Sequence, residues 1–228
     1  MPIKKMKIIE IEGLDKAGKK TATDVLEQYF KGKGFKVARE SMPNYSTPIG
    51  KLIRDWLTGK CKADTKTFEF LQAADKQHMQ TIMQEHEDNG VEILLIDRYV
   101  HSMLAYGAYD NDLEWMYEIT KYMRRPDDVI YLDVEPEVSM HRRGKFGDND
   151  KYEDDVERLR ATRQTYLDIF ETEKDTNVYK IDANKPELIV KMSVFDIATK
   201  MYEKYTGMEE EPSRIPAKSR IKERVKRA

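Results

Sequence analysis

The sequence predicts an α/β fold, a parallel sheet with helices on both faces. Three features carry this: short β-rich runs alternate with longer polar segments of helical spacing, the run Ile93-Leu94-Leu95-Ile96 has no polar side, and a loop containing glycine and lysine follows the first run. Alternation of the two periods marks β-α-β units, and a strand without polar alternation belongs inside a sheet covered on both faces. In such sheets ligands gather beyond the carboxyl ends of the strands, so the residues after each run are the first candidates for chemistry.

In chain order, Met6 to Glu12 reads as the first strand and Gly13 to Thr21 as the loop after it. Val25, Leu26, Tyr29 and Phe30 then fall on one face of a helix. Further strands are expected at Phe35 to Ala38, Ile93 to Asp97, Val129 to Val134 and Val178 to Ile181. A chain of 228 residues, 39% apolar and 36% charged, holds one large domain or at most two small ones. No linker rich in Gly, Pro or Ser divides it before the end, so one domain is expected over residues 1–207. The stretch 208–228 differs: Glu209-Glu210-Glu211-Pro212-Ser213 is acidic and turn-forming, and Arg214 to Ala228 carries seven Lys or Arg against Glu223 alone. It reads as a charged tail, either a frayed terminus or a short basic helix that docks on a partner or nucleic acid.

Forty Lys plus Arg against forty-two Asp plus Glu leave a formal charge of −2. That argues against a surface built for nucleic acid or anionic lipid, so any anion site is local and nucleic acid is expected only through the tail. The single Cys61 excludes an internal disulfide framework and suits a reducing compartment, which makes the cytoplasm the expected location. No apolar stretch approaches the roughly 18 residues of a membrane span. His78, His86, His101 and His141 lack metal-ligand spacing and read as structural. The Met and Tyr residues between Trp115 and Met123 read as a packed helical face.

The loop Gly13-Leu14-Asp15-Lys16-Ala17-Gly18-Lys19-Lys20-Thr21 carries the chemistry. Glycines let the backbone curl until its N–H groups converge on phosphate oxygens at the positive end of a helix, and Lys19 adds a cation for the outer phosphates. The residue after that lysine is expected to be Ser or Thr, whose hydroxyl ligates Mg²⁺; here it is Lys20, whose ammonium cannot. Two registers are open: an ungapped loop in which Lys19 is the phosphate lysine, which we prefer, and a longer one in which Lys20 and Thr21 form the working pair.

With these residues the chain resembles the thymidylate kinases, P-loop enzymes that pass the γ-phosphoryl of ATP to deoxythymidine monophosphate. Besides Glu12 to Lys19, the resemblance rests on Arg39-Glu40, on Ser46 to Arg54, on Asp97-Arg98-Tyr99 with Ser102 and Ala105-Tyr106, on Arg143 to Gly147 with Lys151-Tyr152-Glu153, and on Ile181-Asp182-Ala183. It implies the three-layer nucleoside-monophosphate kinase fold: a five-stranded parallel sheet, helices on both faces, and a lid over Arg142 to Glu153. It implies Mg²⁺ with ATP as cosubstrate, and a homodimer. Gly13, Ala17, Gly18, Lys19, Lys20, Thr21, Arg143 and Ala183 would bind ATP. Lys16, Lys19, Asp97 and Arg98 would serve transfer, with Asp97 holding the metal through water. The acceptor nucleotide would meet Asp15, Arg39, Tyr45, Arg54, Gln72, Lys76, Arg98, Ser102, Tyr106 and Tyr152, Tyr106 lying against the deoxyribose and Asp15 near a sugar hydroxyl.

Four positions depart from that pattern. Gln72 stands where a phenylalanine would stack on the base, Lys76 where an arginine would read a base carbonyl, Met103 where a small or polar residue is usual, and Tyr45 where an arginine often binds phosphate. With Lys20 they leave three readings: a thymidylate kinase with rearranged contacts, which leads because Lys19, Asp97 and Arg98 are intact; a kinase for another or modified pyrimidine deoxynucleotide; or a non-catalytic nucleotide-binding scaffold.

Overall fold

A computed structural model of the protein describes residues 5–142 and 155–208. The predicted Arg143 and Tyr152, most of the lid stretch and the tail from residue 209 onward lie outside the described residues.

Thirteen elements are described: strands β1 (Lys7–Gly13), β2 (Val37–Ser41), β3 (Ile93–Asp97), β4 (Asp128–Asp133) and β5 (Asn177–Asp182), and helices α1 (Lys19–Gly32), α2 (Pro48–Leu57), α3 (Thr65–Asp88), α4 (Val100–Gly107), α5 (Leu113–Thr120), α6 (Pro136–His141), α7 (Val156–Thr172) and α8 (Glu187–Thr206). The strands form one parallel sheet in the order β2-β3-β1-β4-β5. The chain leaves β1 toward one edge and β3 toward the other, so a crevice opens where their carboxyl ends meet.

Strand alternation sorts the core into two layers. Ile9, Ile11, Ile93, Leu95, Ile130 and Leu132 face Leu26 and Phe30 of α1 and Val194 and Ile197 of α8. Ile8, Leu94 and Ile96 face Met79 and Met83 of α3 and Val100 and Leu104 of α4. Each such side chain, fully buried, contributes about 1.5–3 kcal/mol. Local chemistry fixes the helix starts: Thr47 accepts from Gly50 N at 2.9 Å ahead of Pro48, and Asp64 accepts from Thr67 N at 2.9 Å. The α4 start has no such cap, and its amides are satisfied from β1 instead.

The second strand differs from expectation. It runs over Val37–Ser41, with Val37 opposite Ile93 and Ser41 opposite Asp97. Phe35 is buried before pairing begins, its N–H closing the end of α1 on Phe30 O. Arg39, Glu40 and Ser41 can extend an edge strand because the backbone ladder, not apolar side chains, holds it. The Trp115 to Met123 face is also split: Met116, Thr120 and Met123 enter the core, whereas Tyr122 is 88% exposed.

Candidate active site

The loop after β1 takes its shape from two glycines. Gly13, at φ 142, has no room for a side chain, since a Cβ would stand 2.6 Å from Leu132 O of β4. Gly18, at φ 101, turns the chain into α1. Between them Lys16 holds φ 61, a left-handed conformation unfavourable for a side-chain-bearing residue. Lys19 folds back into the loop, donating from Nζ to Leu14 O at 3.0 Å and Gly13 O at 3.3 Å. Lys20 is exposed, at the rim of the loop. That favours the ungapped register. Burial, with the Arg98 charge beside it, lowers the Lys19 pKa against the pull of Asp15 and Asp97.

The second cationic group stands on the turn between β3 and α4. Arg98 also adopts a left-handed φ, 65°. Its guanidinium donates to Asp15 Oδ1 at 2.7 Å, to Ser102 Oγ at 3.1 Å and to Tyr106 OH at 3.4 Å, and lies 5.1 Å over the Tyr106 ring. Burial pushes the Asp15 carboxyl up, but Arg98 and Lys19 outweigh it and hold the group at about 2. Beside Arg98, Asp97 is pushed up by burial, Lys19 and Arg98 opposing. Its Oδ1 is buried and makes no hydrogen bond among the described residues.

Both groups open onto one cavity of about 1010 Å³. Lys16, Gly18, Lys19, Lys20 and Thr21 line it from the loop side, and Asp15, Asp97, Arg98, Ser102 and Tyr106 from the middle. Tyr45, Gln72, Lys76 and Met103 line the far end with Phe68 and Leu57. There Lys76 Nζ donates to Gln72 Oε1 at 2.8 Å, so the two polar departures from the family pattern are bound to one another. Gly13 and Ala17 are buried behind the loop.

Three further predicted residues are not brought to the cavity wall. Arg39 points from the sheet edge to α1, where its Nη1 meets Asp24 Oδ1 and Glu27 Oε2, both at 2.7 Å. Those two carboxylates, a turn apart on α1, hold it there, off the cavity wall. Arg54 is exposed on α2, 5.8 Å over the ring of Tyr45. Ala183 is buried after β5, its N–H on Asp133 O at 2.8 Å.

Other residues join the site that the sequence reading gives no individual role. Arg142 lines the cavity and donates to Ala183 O at 2.9 Å and Lys16 O at 3.3 Å, tying the end of β5 to the loop. Its place beside Arg143 in a tandem pair was the available signal. Ser139 donates to Asp15 O at 2.5 Å. Glu69, 2% exposed at the Lys76 end, has its carboxyl raised to about 8 by burial. Glu10 and Glu12, on the α4 side of β1, are wholly buried; two acids in an otherwise apolar run were the sign of them.

The family profile described as thymidylate kinase matches residues 11–194. A probable thymidylate kinase of Methanosphaera stadtmanae is 34% identical over 186 residues, which cover 80% of this chain and 92% of that protein. One from Thermococcus kodakarensis is 32% identical over 173 residues, covering 72% and 83%. A solved structure of thymidylate kinase from Candida albicans superposes with a TM-score of 0.73 at 24% identity, over 87% of this chain and 93% of that one, and shows the same fold.

Proposed function

The chain belongs to the thymidylate kinase family, and from this we infer that it phosphorylates dTMP to dTDP with ATP by direct in-line transfer. The observation that carries the reading is the shared cavity: Lys19 in its curled loop and Arg98 on the neighbouring strand end open onto one space, with Asp97 beside them. Phosphoryl transfer asks for alignment of two phosphates and neutralisation of the charge that spreads between them, and no covalent intermediate is needed. We assign the loop amides and Lys19 to the donor β- and γ-phosphates, Lys16 to the transferring group, and Arg98, steadied by Asp15 and Ser102, to the acceptor phosphate. Tyr106 flanks the acceptor sugar, and Gln72 with Lys76 meets its base. Arg142 and Ala183 border the donor side.

Asp97 fits a role toward Mg²⁺, because its buried Oδ1 is unpartnered and a hard cation takes carboxylate and water oxygens. A bound Mg²⁺ would supply charge neutralisation at the donor phosphates. Lys20 cannot contribute a ligand, and Thr21 is the next residue along the chain and carries a hydroxyl on the cavity wall.

An ADP-release assay with ATP and Mg²⁺ against dTMP, dUMP, dCMP, dGMP and AMP tests the reading. Turnover is expected to be fastest with dTMP; silence across the panel by a protein that still binds ATP would refute it. The Gln72–Lys76 bond favours one second reading, a modified pyrimidine acceptor, and preferential turnover of such a monophosphate would support it.

We further propose one enzyme domain over 1–207 with a charged tail at 208–228. A homodimer is supported by an apolar patch in which Phe70, 55% exposed, meets Trp115 edge-on; a monomer in light scattering would contradict it. No helix among the described residues is long and apolar enough to cross a membrane. A cytoplasmic location is supported by the single cysteine.

A further inference from the structure

Beneath the acceptor-side cations lies a carboxylate that nothing above uses. Glu12 is the last side chain of β1 before Gly13, and it is completely buried. It accepts four hydrogen bonds: at Oε1 from Tyr99 N and Ser102 N, both 3.0 Å, and at Oε2 from Ser102 Oγ at 2.6 Å and Tyr166 OH at 2.7 Å. These donors come from the turn that carries Arg98, from the first turn of α4 and from the middle of α7. A buried carboxylate so saturated stays charged, and here the charge lies behind Arg98. Ser102 completes a relay, since its Oγ accepts from Arg98 Nη1 at 3.1 Å and donates to Glu12.

The turn it holds is an unfavourable one. Arg98 keeps a left-handed φ, and α4 has no side-chain cap of its own, so Glu12 supplies both the cap and the anchor. The same strand continues directly into the phosphate loop. We propose that Glu12 is a positioning residue for phosphoryl transfer: through Ser102 and the Tyr99 and Ser102 amides it aims the Arg98 guanidinium at the acceptor phosphate, in fixed relation to the loop that holds the donor. Tyr166 joins the arrangement from α7. The inference rests on the reading of Arg98 as the acceptor-phosphate ligand.

The test compares equilibrium binding of dTMP and thymidine, which differ by the 5′-phosphate that Arg98 would hold. Wild-type protein is expected to bind dTMP at least tenfold more tightly than thymidine. In Glu12→Gln, which preserves shape and removes charge, dTMP binding should weaken about tenfold with thymidine binding unchanged, and kcat should fall with the KM for ATP unaltered. Tyr166→Phe, which removes a single bond to Glu12, should give a two- to fivefold loss of the same kind, and it decides the matter if Glu12→Gln does not fold. Retention of the wild-type ratio by the variant, or equal weakening of both ligands, overturns the inference. Equal binding of the two ligands by wild-type protein would instead overturn the assignment of Arg98, and the inference with it.

Discussion

Replacing His101 by leucine should destabilise the protein heavily, with a pH signature. His101 is 1% exposed; its Nδ1 lies 2.6 Å from Glu10 Oε2, itself fully buried, and its Nε2 lies 3.4 Å from Glu173 Oε2. Burial works against the imidazolium, but Glu10 and Glu173 outweigh it and raise its pKa from 6.5 to about 10. Removing one member of a buried pair leaves the other charge uncompensated, which costs about 3–5 kcal/mol. For a domain of this size that is a fall in Tm of roughly 6–20 °C. Since its folded pKa exceeds the unfolded one, the His101 contribution is complete below pH 6.5 and is lost as pH rises toward about 10, and Glu10, raised by burial to about 7, loses its own in the same direction. Denaturant unfolding of wild type and His101→Leu at several pH values between 6 and 9.5 measures both quantities. The double variant His101→Leu with Glu10→Leu, which titrates at neither position, should recover at least half of the loss, and relative to it wild-type stability should fall with rising pH. A loss of less than about 1 kcal/mol in His101→Leu, or a wild-type stability that stays level to pH 9.5 relative to the double variant, would refute this reasoning.

Three further predictions concern activity. Lys20→Ser places a hydroxyl where the loop lacks one and should lower the Mg²⁺ concentration for half-maximal ADP release; an unchanged titration would assign the role to Thr21. Gln72→Phe should lower the KM for dTMP about fivefold or more, because stacking on a base contributes about 1–3 kcal/mol, and the KM for ATP should not move. Arg98→Ala should reduce kcat/KM for dTMP by about three orders of magnitude, as loss of a preorganised cation does, while ATP binding measured by titration persists.

The fold was legible where a single physical rule governs. Ile93 to Ile96 could belong only to an inner strand, and the glycines at 13 and 18 stand where the backbone has room for nothing else or must turn left-handed. The edge strand was less legible, because Arg39 to Ser41 pair through backbone atoms that no side-chain pattern reports. In the site, Lys19, Asp97 and Arg98 could be read from their place at strand ends. Arg39 could not: its direction is decided by Asp24 and Glu27 on a helix packed beside it, a tertiary fact. Glu10, Glu12 and His101 were hidden for a related reason. An acid in a strand or a lone histidine looks like solvated surface until a second element, here α4, supplies amides and hydroxyls to bury it against.

Lys16 and Arg98 share one conformational oddity, a positive φ on a long cationic side chain. Such a backbone costs about 1–3 kcal/mol at each position, and glycine would relax it. A screen that rewards heat resistance without demanding turnover would therefore drift toward glycine at both codons, yielding a hardier protein that has lost its hold on phosphate. Thermal endurance and catalysis pull in opposite directions at these two places.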